Sequence, residues 1–200
     1  MATGRLFLVA TPIGNLEDIS LRALRILREA TRVVCEDTRR TGNLLRHYQI
    51  ATPMLSFHRF NEHRLVESLV ERLLSGENLA LTTDGGTPLI SDPGFSLVRA
   101  AVAKDIPVIP VPGASALIAG LIGSGLPCDR ILFIGFLPHR SSDRRKLFSE
   151  LREREETLVF FDSPRRVAGS LEEIGANLGN RQAGLCRELT KLHEEIARGG

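Results

Sequence analysis

Across the first 111 residues, short β-branched and apolar runs alternate with stretches whose apolar residues recur every three or four positions. Parallel strands need long crossover connections and helices supply them, so this alternation narrows the fold to an α/β unit built on a parallel sheet. The runs predict strands over 6–10, 32–36, 54–57, 79–83 and 108–111, with helices over 21–30, 41–47, 65–74 and 96–103 between them. Leu65, Val66, Leu69, Val70, Leu73 and Leu74 follow the helical period, and Gly76 supplies the stop. Beyond Val111 comes an apolar helix rich in small residues, reaching about Gly123, and then a hinge at Ser124-Gly125-Leu126-Pro127. The pattern then restarts: a strand over 131–135, a charged helix over 142–154, a strand over 157–161, a helix over 164–178 and a strand over 182–186. Residues 1–115 and 116–200 are therefore expected as two α/β domains. The last residues read as charged and helix-like, and the second domain is expected to be incomplete.

Composition excludes several classes. The chain is 42% hydrophobic, enough for real cores, yet no stretch approaches the roughly 20 apolar residues that span a bilayer. A strand-like run begins almost at the N-terminus, which leaves no room for a signal peptide, so the expected location is cytoplasmic. Cys35, Cys128 and Cys186 are odd in number and far apart, without CxxC or Cys/His spacing, so neither a disulfide framework nor a metal site is expected. Net charge is only +2, but just three of the 26 basic residues are lysine. Arginine makes forked contacts to phosphate that lysine cannot; a GC-rich genome, which encodes arginine readily, would leave the same mark.

Neither GxGxxG after the first strand nor GxxxxGK[ST] is present, which removes the main support for a dinucleotide or P-loop site. Glycine and proline gather instead at strand ends, in Thr11-Pro12-Ile13-Gly14-Asn15, in the segment from Thr83 to Gly94 (TDGGTPLISDPG), and in Pro112-Gly113-Ala114-Ser115-Ala116. In open α/β sheets the crevice beyond the carboxyl ends of the strands is where ligands bind. Such loops present backbone closely and stiffly to a ligand.

The motifs TPIGNLEDIS, CEDTRRT, SFHRFNE, TTDGGTPLISDPG, VPGASA, FIGFLP, DSPRR and RELTK occur in that order from residue 11 to 191. Together they resemble the small-subunit ribosomal RNA methyltransferase I group, which is similar to the tetrapyrrole methylases. The resemblance implies two α/β domains with an S-adenosylmethionine (SAM) cleft between them, a homodimer, and methylation of a cytidine ribose 2′-hydroxyl in the decoding region of 16S ribosomal RNA. Carried over, Pro12 and Gly14 would form one wall of the cofactor cleft. Asp84, Gly85, Gly86, Thr87, Pro88 and Ile90 would form its central loop. Pro112, Gly113, Ala114, Ser115 and Ala116 would close the far side, and Phe136, Leu137 and Pro138 would contribute from the second domain. The family commonly has Asp-Ala-Gly where this chain has Asp84-Gly85-Gly86.

A ribose hydroxyl is a poor nucleophile at neutral pH, so a base or a nearby cation would help it react. Glu188, Lys191 and Asp37 are the candidate catalytic residues, chosen from a set that also holds Glu36 and His58. Each has a plainer reading: Asp37 as a helix cap, and Glu188 with Lys191 as a surface ion pair. Candidate RNA contacts are Arg39, Arg40, His58, Arg59 and Arg64 after the second and third strands, and Arg140, Arg144, Arg145, Arg165 and Arg166 in the second domain. Ser163-Pro164-Arg165-Arg166 reads as a capped helix start with proline in the first turn. Several basic clusters around one opening favour a polyanionic substrate. The rivals are a methylase of a corrin precursor, which would need a large apolar pocket, and a non-catalytic RNA-binding or ribosome-assembly protein, which would bind RNA without SAM. A metal-dependent nucleotide hydrolase is disfavoured, because Asp84 and Asp92 have no supporting ligands near them in sequence.

Overall fold

Five short strands form the parallel sheet of the N-terminal half: β1 (Leu6–Val9), β2 (Arg32–Cys35), β3 (Met54–Ser56), β4 (Leu79–Leu81) and β5 (Val108–Val111). Their order is β3-β2-β4-β1-β5, so the loops leaving β4, β1 and β5 are neighbours at one edge. The computed structural model describes residues 3–200 and divides into two units, the first through Ala116 and the second Leu117–Gly200.

In the first unit both faces of the sheet are buried, as the near-continuous apolar strands require. Phe7, Val9, Val33 and Cys35 point to one face, against Ala23, Ile26 and Leu27 of α1 (Leu21–Glu29) and Leu45 of α2 (Thr38–His47). Leu6, Val34, Leu79 and Leu81 point to the other, against Leu69, Val70 and Leu73 of α3 (Glu62–Leu74) and Leu97 and Ala101 of α4 (Phe95–Val102). Leu69 and Leu73 are fully buried, each worth about 1.5–3 kcal/mol of transfer free energy. Cys35 is free and buried, and burial pushes its thiol up.

Side-chain caps fix helix starts in the first unit. Ser20 caps α1 by accepting from the Ala23 N–H at 3.1 Å. Asp37 caps α2 by accepting from the Arg39 N–H at 2.8 Å, which starts that helix at Thr38 rather than 41. Asn15 caps a 3-10 turn, Leu16–Asp18, where no element was expected.

The second unit takes in most of α5 (Ala116–Ser124) and then β6 (Ile131–Phe136), α6 (Ser141–Leu151), β7 (Thr157–Phe161), α7 (Val167–Leu178), β8 (Ala183–Arg187) and β9 (Glu195–Gly199). β6 and β7 pair in parallel and pack on Phe148, Leu151 and Leu178. The helix-like reading of the last residues is corrected, because β8 and β9 form an antiparallel hairpin. Positive φ at Glu188 (51°) and Thr190 (67°) turns the chain where a helix would have run, and Arg187 pairs with Glu195 across the hairpin. The hairpin lies against the small residues of α5. A Cβ on Gly123 would come within 2.6 Å of Ile196, and one on Gly184 within 2.8 Å of Ser124. The capped start expected at Pro164 is also corrected: Pro164, Arg165 and Arg166 form a turn, and α7 begins at Val167. Asp162 organises that turn by accepting from the Ser163 N–H, Arg166 and Ser170. Among the described residues no helix is long and apolar enough to cross a membrane.

Candidate active site

The carboxyl edge of the first unit's sheet has two halves of different chemistry. Over β4, β1 and β5 lie the three Gly/Pro loops, tied to one another without charged side chains. The Thr11 N–H donates to the Gly86 carbonyl and the Gly86 N–H to the Thr11 carbonyl, both at 2.9 Å. Thr11 Oγ1 donates to the Thr83 carbonyl (3.2 Å) and Thr87 Oγ1 to the Ala114 carbonyl (3.2 Å). Thr83 Oγ1 donates to Asp92 at 2.6 Å and closes the central loop on itself. Glycine is required where these loops touch. Gly86 has φ of +95°, and a Cβ there would lie 3.3 Å from Ile13; a Cβ on Gly113 would meet Ala10 at 3.0 Å. Pro12, Gly85 and Gly86 thus meet below, Pro88 is buried, and Gly14, Ile90, Pro112 and Gly113 are exposed above. Ala114 and Ser115 lead into α5, whose first residue is Ala116. A cleft of about 220 Å³ opens beside them, lined by Thr11, Pro12, Gly14, Arg40, Thr83 and Asp84 among others.

The other half, over β3 and β2, is charged. Asp84 reaches across to it, accepting from the Asp37 N–H at 3.1 Å and lying 3.7 Å from the Arg40 guanidinium. A second hollow of about 440 Å³ is lined by Glu36, Asp37, Arg39, His58, Arg59 and Phe60 together with their neighbours. Hydrogen bonds from the Arg39 side chain and backbone hold the Asp37 carboxyl at about 2. A carboxylate so occupied is a weak base, and the expectation of Asp37 as a catalytic base gives way to its role as cap of α2. Its neighbour Glu36 differs. Burial pushes its carboxyl up, Asp84 and Asp92 add to the rise, and Arg59 and His58 oppose it. Burial likewise raises Asp92. Arg39 and Arg40 leave 88% and 70% of their side chains exposed, and Arg59 and Arg64 are exposed as well.

In the second unit, Phe136 ends β6 exposed, packing edge-on against Phe161 with ring centroids 5.5 Å apart. Leu137 is buried and its N–H donates to the Phe161 carbonyl at 3.0 Å, with Pro138 next in the chain. Two of the expected RNA contacts are otherwise engaged. Arg144, only 12% exposed, forks onto Glu173 at 2.8 and 2.7 Å and donates to the Pro138 and His139 carbonyls. Arg166 binds Asp162, Ser163 and the Leu137 and Pro138 carbonyls. With their donors occupied inside the unit, these two guanidiniums are structural. Arg140, Arg145 and Arg165 remain exposed. Glu188 and Lys191 come together on the β8–β9 turn, with Lys191 Nζ 3.2 Å from the Glu188 carboxylate.

Sequence reasoning passed over Phe60, which is 97% exposed at the lip of the charged hollow. The available signal was an aromatic inside the polar run His58-Arg59-Phe60-Asn61-Glu62-His63-Arg64. Asp92 was weighed only as a metal ligand, and its bond to Thr83, nine residues back, left no mark in the sequence.

The tetrapyrrole (corrin/porphyrin) methylase family matches residues 5–200. The chain is 47% identical over 196 residues to "Ribosomal RNA small subunit methyltransferase I" of Halalkalibacterium halodurans, covering 98% of this chain and 68% of that protein. It is 51% identical over 197 residues to the protein of the same description from Xylella fastidiosa, covering 98% and 72%. Among solved structures, diphthine synthase superposes with a TM-score of 0.75 at 18% identity, covering 98% of this chain and 81% of that one. The uroporphyrin-III C-methyltransferase of Thermus thermophilus complexed with S-adenosylhomocysteine does so with 0.65 at 21% identity, covering 98% and 88%. A match from residue 5 to the last residue, with relatives near half identity over almost all of it, means that this chain belongs to the tetrapyrrole (corrin/porphyrin) methylases and, among them, to the ribosomal RNA small subunit methyltransferase I group.

Proposed function

We propose that this chain methylates ribosomal RNA with SAM, at the ribose 2′-hydroxyl of a cytidine in the decoding region of the 16S RNA. The observation that carries this reading is the divided edge of the first unit, a cradle of three loops tied by backbone and threonine groups beside a half rich in exposed arginines. The names of the relatives, which specify ribosomal RNA of the small subunit, support it.

The residues present fit such a cofactor. Gly86 and Gly113 let three loops close over one another where any side chain would push them apart, leaving Pro12, Gly14, Asp84 to Pro88, Ile90 and 112–116 to offer backbone and small side chains. The carboxylates Glu36, Asp84 and Asp92 set a negative field beside them, suited to a cationic sulfonium. Family likeness adds Phe136, Leu137 and Pro138 to the proposed cofactor contacts. When bound, SAM supplies a methyl carbon activated by positive sulfur, so no metal is required. That methyl group would go to the ribose 2′-oxygen, and residues of this chain would take the hydroxyl proton. Glu188 and Lys191, 3.2 Å apart, are the pair proposed to act on the reacting hydroxyl, with family likeness as the support. Arg39, Arg40, Arg59 and Arg64 with His58, and Arg140, Arg145 and Arg165 of the second unit, hold RNA phosphates. The enzyme acts in the cytoplasm as a homodimer on the small subunit, a reading taken from family likeness.

The test is transfer of labelled methyl from SAM to purified small subunits lacking the modification, with base-resistant linkages locating 2′-O-methylation in the RNA. Label on a 16S cytidine ribose is the expected result. SAM binding without label would overturn the substrate, and failure to bind SAM would overturn the enzyme.

A further inference from the structure

The loop from β3 to α3 carries two phenylalanines three residues apart with opposite fates. Phe57 is 1% exposed and packs in the core with Leu69 and Leu73, whereas Phe60 stands almost wholly in solvent. Mobility does not explain this exposure, because the loop is pinned. The His58 N–H donates to Asn61 Oδ1 at 2.8 Å, Asn61 Nδ2 donates to the Ser56 carbonyl at 3.1 Å, and the Asn61 and Glu62 N–H groups both donate to the His58 carbonyl at 2.9 Å. The Phe60 N–H donates to His58 Nδ1 at 3.3 Å, and the two rings meet edge-on with centroids 5.9 Å apart. Arg59 ties the same loop to the central loop through the Ser91 carbonyl at 3.1 Å. A large apolar ring is thus held in water at a fixed position.

Its surroundings indicate what covers it. Phe60 forms part of the wall of the 440 Å³ hollow with Arg39, His58 and Arg59 and with the carboxylates Glu36, Asp37 and Asp84, of which Asp37 pairs with Arg39; the exposed Arg64 lies in the first turn of α3. A protein partner with an apolar anchor would have to bury the exposed Arg39, Arg59 and Arg64 beside the ring. An unpaired stretch of RNA matches both features, since phosphates suit the guanidiniums and every base offers a flat face for stacking. We propose that Phe60 is a stacking platform for an unpaired base of the RNA substrate, so that it positions the strand along the charged half of the sheet edge. This inference rests on the ribosomal RNA reading and adds an RNA-contacting residue to it.

The chain contains no tryptophan, so Phe60→Trp installs a single indole at the site. Titration of that variant with a single-stranded RNA of about a dozen nucleotides should quench its fluorescence, and an abasic strand of the same length should not. In steady-state methylation of small subunits, Phe60→Ala should raise KM for RNA roughly 5- to 150-fold, the range of about 1–3 kcal/mol per stacked base, with kcat and SAM affinity little changed. Phe60→Trp should restore KM and Phe60→Leu should not. Because the side chain is in solvent, all three variants should melt with the unaltered protein. Equal quenching by the abasic strand, an unchanged KM in Phe60→Ala, or full rescue by leucine would each overturn the platform, and rescue by leucine would point to an apolar protein contact. If the unaltered protein binds SAM but no RNA, the parent reading falls and the platform with it. If the unaltered protein methylates RNA while Phe60→Ala matches it, only the platform falls.

Discussion

The two units hold the loops at their strand ends by different means. In the first, backbone groups and threonine hydroxyls do the work: Thr11 and Gly86 exchange a pair of hydrogen bonds, and Thr87 and Thr83 complete the net. In the second, arginines do it, with Arg144 and Arg166 gathering the carbonyls of 137–139 onto Glu173 and Asp162. A loop tied by its own backbone leaves nearby guanidiniums free for a ligand; a loop tied by guanidiniums does not. Counting basic residues therefore overstates the anion-binding power of the second unit, and the largely exposed Arg39 and Arg40 carry more of it than their number suggests.

That contrast can be broken at its strongest point first. Gly86→Val adds a branched side chain at φ of +95°, 3.3 Å from Ile13, and should weaken SAM binding by roughly tenfold or more through strain and loop separation. Calorimetry showing unchanged affinity would mean that the threonine–glycine net does not seat the cofactor. The second unit supplies the next effect. Arg144→Ala should lower its melting temperature by several degrees while leaving the salt dependence of RNA binding intact, and a flattened salt dependence would return Arg144 to the phosphate contacts. The same pair gives a pH signature. Hydrogen bonds from Arg144 and then Ser141 hold the Glu173 carboxyl at about 2. The folded state therefore keeps the full contribution of this pair above the ordinary carboxylate range and loses it as pH falls from there toward 2. Hydrogen-exchange protection factors in α6 and α7 should fall across that window, and Arg144→Ala should abolish the fall. The smallest effect belongs to one free arginine. Arg40→Gln should reduce the slope of log affinity against log salt by about 0.7 for single-stranded RNA, without changing the melting temperature.

Much of the first unit was legible because its signals are local. Alternating apolar runs and helical stretches marked the five strands, and glycine with proline marked the three loops that the strand order then brings side by side. What was illegible depends on distant partners. Arg144 and Arg145 are neighbours in sequence, yet Glu173, 29 residues away, makes one structural and leaves the other in water. Asp37 read equally as base or cap until the Arg39 side chain was seen on it. The stretch 187–200 has helical composition but becomes a hairpin, because Gly123 and Gly184 open a seat for it on α5.

The central loop also has a mechanical consequence. Leu89 and Ser91 hold φ of 74° and 68°, a region that side chains disfavour by about 1–2 kcal/mol each. Leu89 keeps that backbone because its side chain reaches down into the core below, where Gly94 leaves it room: a Cβ there would lie 2.9 Å from the leucine methyl. Such a loop cannot peel away alone, since releasing it would empty a place in the core. A protease offered the folded protein should therefore find 84–94 closed until the whole first unit opens, and its cutting rate there should follow global unfolding, unlike that of an ordinary surface loop.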